Sequence, residues 1–250
     1  MGTGQHRLLV DTAQGYRAWA DLINVKLSDL SISLSHVFLT HWHGDHTGGV
    51  PDLIRMYPHL VDGIYKNSPE QGQNPIEDGQ IFRVEGATIR AIHGPGHSHD
   101  HMCFILEEEN AMFTGDNVLG HGTSAVEQLG TYMETLRKLQ AQGCKRGYPA
   151  HGAVIPDLDL KISTELAQKT RREKQCLAAL GRIREECSTR QLASVTVSEL
   201  IDVVHGTRVD EEVRKLALEP FMEEVLRKLA EDGKVAFRVR QGAKTWFALS

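Results

Sequence analysis

The hexapeptide His41-Trp42-His43-Gly44-Asp45-His46 places three imidazoles and a carboxylate within six residues. An ordinary core has no use for such a cluster, because grouped ionisable side chains are costly to bury unless a cation binds them. Imidazole and carboxylate are ligands for Zn²⁺ and similar divalent ions. The preceding Val37-Phe38-Leu39-Thr40 is β-branched and apolar and reads as a buried strand. Gly48-Gly49 and Pro51 read as a tight turn into a helix near 51–57. The fold must therefore carry the histidines on a strand-to-helix loop, a common place for catalytic groups.

Bulk properties restrict the rest. The chain has 250 residues, enough for one large domain or one domain plus a small one. It is 40% hydrophobic and 24% charged, so a sizeable core is expected and disorder is not. The formal charge of −5 argues against general nucleic-acid affinity, but it is uneven: residues 160–250 carry net +3 and residues 1–159 net −8. Cys103, Cys144, Cys176 and Cys187 form no C-x-x-C pair and none is near the histidines, which suggests a reducing compartment. No apolar stretch reaches the ~18 residues of a membrane span, and no apolar signal segment opens the chain. The expectation is a cytoplasmic protein.

Residues 8–10 read as a strand ending at Asp11, and 16–30 as a helix. Residues 80–92 read as a hairpin about Glu85-Gly86. Strands are expected at 102–106 and 111–114 around the acidic turn 107–110, then a helix over 129–140. This interleaving predicts an α/β sandwich with helices outside the sheets, over residues 1–157. Residues 158–250 are expected to form a small helical, winged-helix-like domain. A charged helix is predicted over 159–187, a capping box at Thr196–Glu199, and a helical stretch over 209–231 interrupted at Pro220. A hairpin about Gln241-Gly242 follows.

Three later positions are ligand types at strand ends beside glycine or proline: His97 in Gly94-Pro95-Gly96-His97, Asp116 in Phe113-Thr114-Gly115-Asp116, and His151 after Tyr148-Pro149-Ala150. His101 and His121 read as residues behind the ligands or on a substrate lip. His6, His36, His59, His93 and His205 read as structural or surface groups.

The ordered set His41-x-His43-x-Asp45-His46, His97, Asp116 and His151 resembles the metallo-β-lactamase superfamily over residues 1 to about 157. The resemblance implies an αββα sandwich with a two-metal site at one edge. Two Zn²⁺ ions are implied, with Mn²⁺ or Fe as alternatives. His41, His43 and His97 would hold the first ion and Asp45, His46 and His151 the second, with Asp116 bridging. It also implies a hydroxide between the ions as nucleophile, and Asp45 as a catalytic proton carrier.

The strings Thr40–His43, Glu85–Thr88, His101–Phe104 and Phe113–Thr123 are similar to the lactamase-beta-like branch. That branch holds single-strand-specific endoribonucleases and fungal atrochrysone carboxyl acyl-carrier-protein thioesterases. The stretches 32–58 and 117–123 look most like the thioesterases. This implies hydrolysis of the thioester between an aromatic polyketide and the acyl carrier protein of a non-reducing polyketide synthase, in secondary metabolism. The basic tail, including Arg171, Arg172 and Lys174, would dock the carrier protein. Under the ribonuclease alternative the same cations would contact RNA phosphates. A hydrolase of small free thioesters is a further alternative.

Two departures support a third reading. The branch carries several dozen residues before the position of Met1, so the fold is expected to be N-terminally shortened. Its Asp-Thr-Gly is Asp11-Thr12-Ala13 here, and an alanine held at positive φ is strained. Together these raise the alternative of a truncated, inactive protein that keeps the metal residues.

Overall fold

The computed structural model describes residues 1–186 and 193–249; Cys187, and with it the predicted end of the 159–187 helix, lies outside them. Two compact units divide the chain: Met1–Glu127 with Thr131–Ser163, and Gln128–Gly130 with Thr164–Ser250.

The first unit begins with β1 (His6–Val10), α1 (Arg17–Asp29), β2 (Ser33–Phe38), the single turn α2 (Gly44–Thr47) and α3 (Val50–Met56). Short strands β3 (Ile64–Lys66) and β4 (Asn74–Pro75) complete a sheet of order β1-β2-β3-β4, parallel throughout. A second sheet follows, in order β5 (Ile81–Val84), β6 (Ala87–His93), β7 (Met102–Leu106), β8 (Ala111–Gly115) and β9 (Arg146–Pro149). It is antiparallel except for β8–β9, which the helix α4 (Leu129–Gln140) connects.

The expected αββα architecture is present. Leu8 and Phe38 of the first sheet pack with Phe82, Ile89, Met102 and Phe104 of the second in one core. A second core joins Val37, Leu39 and Ile64 to Leu27 of α1 and Leu53 of α3, so helices cover the outer face of the first sheet. Alternation explains this: Val37 and Phe38 are adjacent in β2 and point to opposite cores. The strand predicted at 37–40 runs instead from Ser33 to Phe38. It ends there because the Thr40 amide leaves the ladder and donates to Asp11 Oδ1 at 2.8 Å. The hairpin about Gly86 forms as expected, with Val84 paired to Ala87.

The second unit holds α5 (Leu158–Glu186) from Thr164 onward, then α6 (Val197–His205), α7 (Glu211–Val213), α8 (Glu219–Glu231) and a hairpin of β10 (Val235–Arg240) and β11 (Ala243–Ala248). The capping box closes: the Glu199 amide donates to Thr196 Oγ1 and the Thr196 amide donates back to Glu199 Oε2. The interruption expected at Pro220 takes another form. The chain passes through a π-turn, Arg214–Leu218, and Pro220 sits in the first turn of α8. Proline lacks an N–H and crowds the carbonyl four residues earlier, and a wider turn absorbs both defects. No helix among the described residues is long and apolar enough to cross a membrane.

Candidate metal centre

The candidate residues all follow the C-terminal ends of strands. Asp11 follows β1, His41 follows β2, His97 lies beyond β6, Asp116 follows β8 and His151 follows β9. His43 caps α2, and Asp45 and His46 lie on it. Strand ends far apart in sequence thus deliver side chains to one edge of the sandwich.

Two groups of potential ligand atoms result: His41, His43, His97 and Asp116, and Asp45, His46 and His151, each within 4.8 Å. In the first, His41 Nε2 lies 2.7 Å from His43 Nδ1, and His97 Nε2 lies 3.2 Å from both. In the second, Asp45 Oδ2 lies 3.2 Å from His151 Nε2 and 3.6 Å from His46 Nε2. Asp116 reaches both groups, with Oδ2 3.7 Å from His97 and 3.6 Å from His46, and Oδ1 3.5 Å from His151.

Three of the imidazoles, His41, His46 and His97, are oriented from behind. His97 Nδ1 faces the Ala125 carbonyl at 2.8 Å and Ser124 Oγ at 3.0 Å, which places its proton there and leaves Nε2 with a lone pair. His46 Nδ1 lies 2.8 Å from Asp11 Oδ2, and His41 Nδ1 lies 2.9 Å from Thr40 Oγ1. That hydroxyl donates to Asp11 Oδ2 at 2.9 Å. Oriented partners of this kind are what metal-ligating histidines have.

Burial and neighbouring charges shift the imidazoles in both directions. Burial and the neighbouring imidazoles, His101 foremost, push His41 far below the ordinary histidine range. Burial also lowers His97. For His46, burial opposes the charged form, but the hydrogen bond to Asp11 and the nearby Asp116 carboxylate outweigh it and raise the imidazole to about 10. His46 Nε2 and Asp116 Oδ1 are buried with no hydrogen-bond partner. Converging imidazoles, unpartnered buried atoms and the two carboxylates Asp45 and Asp116 make a donor set that fits divalent cations.

His101 is fully buried, and its Nε2 accepts the Asp116 amide at 3.0 Å, so it sits behind Asp116. His121 is exposed beyond β8, beside Gly152. Among the histidines read as structural, His36 packs on Phe38, Tyr65 and Phe82.

Asp11, Thr12 and Ser124 also shape the centre, although no sequence motif marks them for it. Asp11 carries the same signal as Asp116, an aspartate at a strand end, but stands alone. Thr12 locks the histidine turn: its amide and hydroxyl both donate to the His46 carbonyl, at 2.7 and 2.9 Å. A Cβ on Gly49 would lie 2.1 Å from the Thr12 carbonyl oxygen, so only glycine fits that approach. Behind the His97 loop, Lys66 Nζ lies 3.2 Å from the fully buried Asp100, which also accepts from Ser98 Oγ. A cavity of about 690 Å³ opens beside Asp45, His46 and His151 and is lined by Tyr16, Trp19, Phe113 and Tyr148.

The metallo-beta-lactamase superfamily model matches residues 1–151. The chain is 88% identical over 250 residues to an atrochrysone carboxyl ACP thioesterase of Aspergillus aculeatus, covering 100% of this chain and 80% of that one. It is 78% identical to another of Paecilomyces divaricatus, covering 100% and 79%. A metallo-beta-lactamase family protein of Thermus thermophilus has a similar fold, with TM-score 0.67, 22% identity, and coverage of 96% of this chain and 89% of that chain. A beta-lactamase domain protein of Burkholderia ambifaria superposes with TM-score 0.74 at 15% identity, over 97% and 82% of the two chains. The strand-end donor set, the two-sheet core and these likenesses agree: the chain belongs to the metallo-beta-lactamase superfamily.

Proposed function

We propose that this protein is a metal-dependent thioesterase that releases an aromatic polyketide acid from an acyl carrier protein. The observation that carries this reading is 88% identity, across the whole chain, to a protein named an atrochrysone carboxyl ACP thioesterase. The complete, oriented donor set supports an active enzyme over an inactive remnant.

In this reading His41, His43 and His97 would hold one zinc ion, and Asp45, His46 and His151 would hold the other. Asp116, within reach of both groups, would serve both, and manganese or iron is an alternative. When bound, the ions supply Lewis acidity, polarising a carbonyl and lowering the pKa of water to about 7. The protein's own groups do the rest. Asp45 lines the cavity and takes up the proton that the attacking water loses. The carbonyl carbon gains a C–O bond and the C–S bond breaks. The proton passes to the departing phosphopantetheine thiolate, leaving a free acid. The aromatic wall of the cavity suits a flat acyl group. The domain assignment belongs to the same proposal: residues 1–157 catalyse and residues 158–250 form the accessory domain.

The test is product release from a carrier-bound polyketide. The wild-type protein should accelerate release, and His41→Ala and Asp45→Ala should each abolish it. Release no faster than without protein, with cleavage of single-stranded RNA or of acylglutathione instead, would overturn the assignment.

A further inference from the structure

The second unit carries a groove that the chemistry at the metal centre does not use. It has a volume of about 290 Å³ and lies among α5, α6, the π-turn and α8. Its walls are largely apolar, with Val204, Leu218 and Phe221 beside Arg172, Gln175 and His205, and no acidic residue lines it. The Arg172 guanidinium stands 4.5 Å above the Phe221 ring. That contact holds the cation against an apolar floor, yet Arg172 is exposed and has no acidic partner among the described residues.

The surroundings share this character. Arg171 and Lys174 are exposed on the same stretch of α5 and also have no acidic partner among the described residues. Glu173, between them, turns inward and pairs with Lys228 at 2.9 Å. Several acids on the other elements are committed: Asp202 binds Arg214, Glu211 binds Lys215 at 3.0 Å, and Asp210 caps α7, while Glu212 and Glu219 stand outside the groove lining. Large apolar side chains stand exposed on these same elements: Leu216 at 74%, Val213 at 51% and Val203 at 42%. An apolar groove with exposed aliphatic side chains and unpaired cations suits an amphipathic helix with acidic flanks.

We infer that this groove docks an acidic surface helix of the carrier protein, with Arg172 as the central charge and Leu216 as an apolar contact. The inference rests on the proposed thioesterase reading and names the surface through which the partner is held. Charge complementarity selects the occupant: acyl carrier proteins are acidic, and the groove is lined by the Arg172 cation and by no acid, with Arg171 and Lys174 exposed nearby on α5.

The test uses the full chain and the phosphopantetheine-loaded, unacylated carrier domain of a fungal non-reducing polyketide synthase. Arg172→Glu and Leu216→Glu should each weaken binding about tenfold by titration calorimetry. Both side chains are exposed, and an unchanged melting temperature confirms folding. With acylated carrier the variants should raise KM with kcat retained. With a small acyl thioester both constants should stay at wild-type values. Hydrolysis of both substrates by the wild-type protein, with carrier binding absent or undiminished in the variants, overturns the docking site and leaves the thioesterase reading standing. Hydrolysis of neither substrate sinks that reading instead. Binding of single-stranded RNA in the groove, or a dimer that Leu216→Glu dissociates, would assign it to another occupant and overturn the inference.

Discussion

The Asp11 carboxylate makes three bonds that shape the centre: from the Thr40 amide, from the Thr40 hydroxyl, and with His46 Nδ1. One side chain thus ends β2, orients His41 through Thr40 and fixes the His46 tautomer. Asp11→Asn should lower zinc affinity about 10–100-fold, measured by competition with a chromophoric chelator. Unchanged affinity would show that His46 is held by other means. Two residues on, Ala13 lies at φ 55°, the left-handed region expected for the glycine it replaces. Alanine is strained there by about 1–2 kcal/mol, while glycine costs about 0.5–1 kcal/mol in chain entropy. Ala13→Gly should therefore stabilise the protein by up to about 1.5 kcal/mol in urea denaturation. A loss of stability would mean that the surrounding turn has relaxed to suit alanine.

At the scale of elements, a single carboxylate ties α4 to the second sheet. Asp78 accepts from the His93 amide at 2.8 Å and from Lys138 Nζ at 2.9 Å, and Lys138 also donates to the His93 carbonyl. Burial alone would raise the Asp78 carboxyl, but the Lys138 and His93 hydrogen bonds hold it below its ordinary 3.8. A carboxylate depressed in the folded state stabilises above its unfolded pKa and loses that contribution as pH falls through the folded value. The stability difference between wild type and Asp78→Asn should thus be constant above about pH 5 and shrink below it. Denaturation curves at stepped pH read this directly, and a difference that grows on acidification would contradict it. Lys138 is partly exposed, so screening keeps the difference small.

For the whole molecule, the proposed ligands come from four strand ends and one helical turn, so ion binding joins both sheets and stabilises only the folded state. Chelation should lower the melting temperature of the full chain. At a free ion concentration a hundred times Kd, the stabilisation lost is about 2.7 kcal/mol, or about 5–10 °C for a chain of this size. A melting temperature indifferent to chelation, with zinc analysis near zero, would remove the metal from the proposal.

How much was legible in the sequence depends on whether the signal is local. The strand at 102–106, the hairpins at Gly86 and Gly242 and the Thr196 capping box rest on neighbours in sequence, and all are present. Strands β3 and β4 have three and two residues, too short for any periodicity, and exist because β2 offers β3 an edge and β3 offers one to β4. The donor types of the centre could be read because imidazoles and carboxylates beside glycine at strand ends are chemically conspicuous. Asp11 and Thr12 could not be assigned their work, because each acts on a residue more than thirty positions away. The sequence by itself determined which side chains are available and which strands end beside them. Only the tertiary structure decided that these ends meet at one edge and that Asp116 spans both groups. It also decided that an aspartate after the first strand holds the histidine turn. Packing two sheets through Phe38 and Phe104 is a long-range event, and no local pattern encodes its outcome.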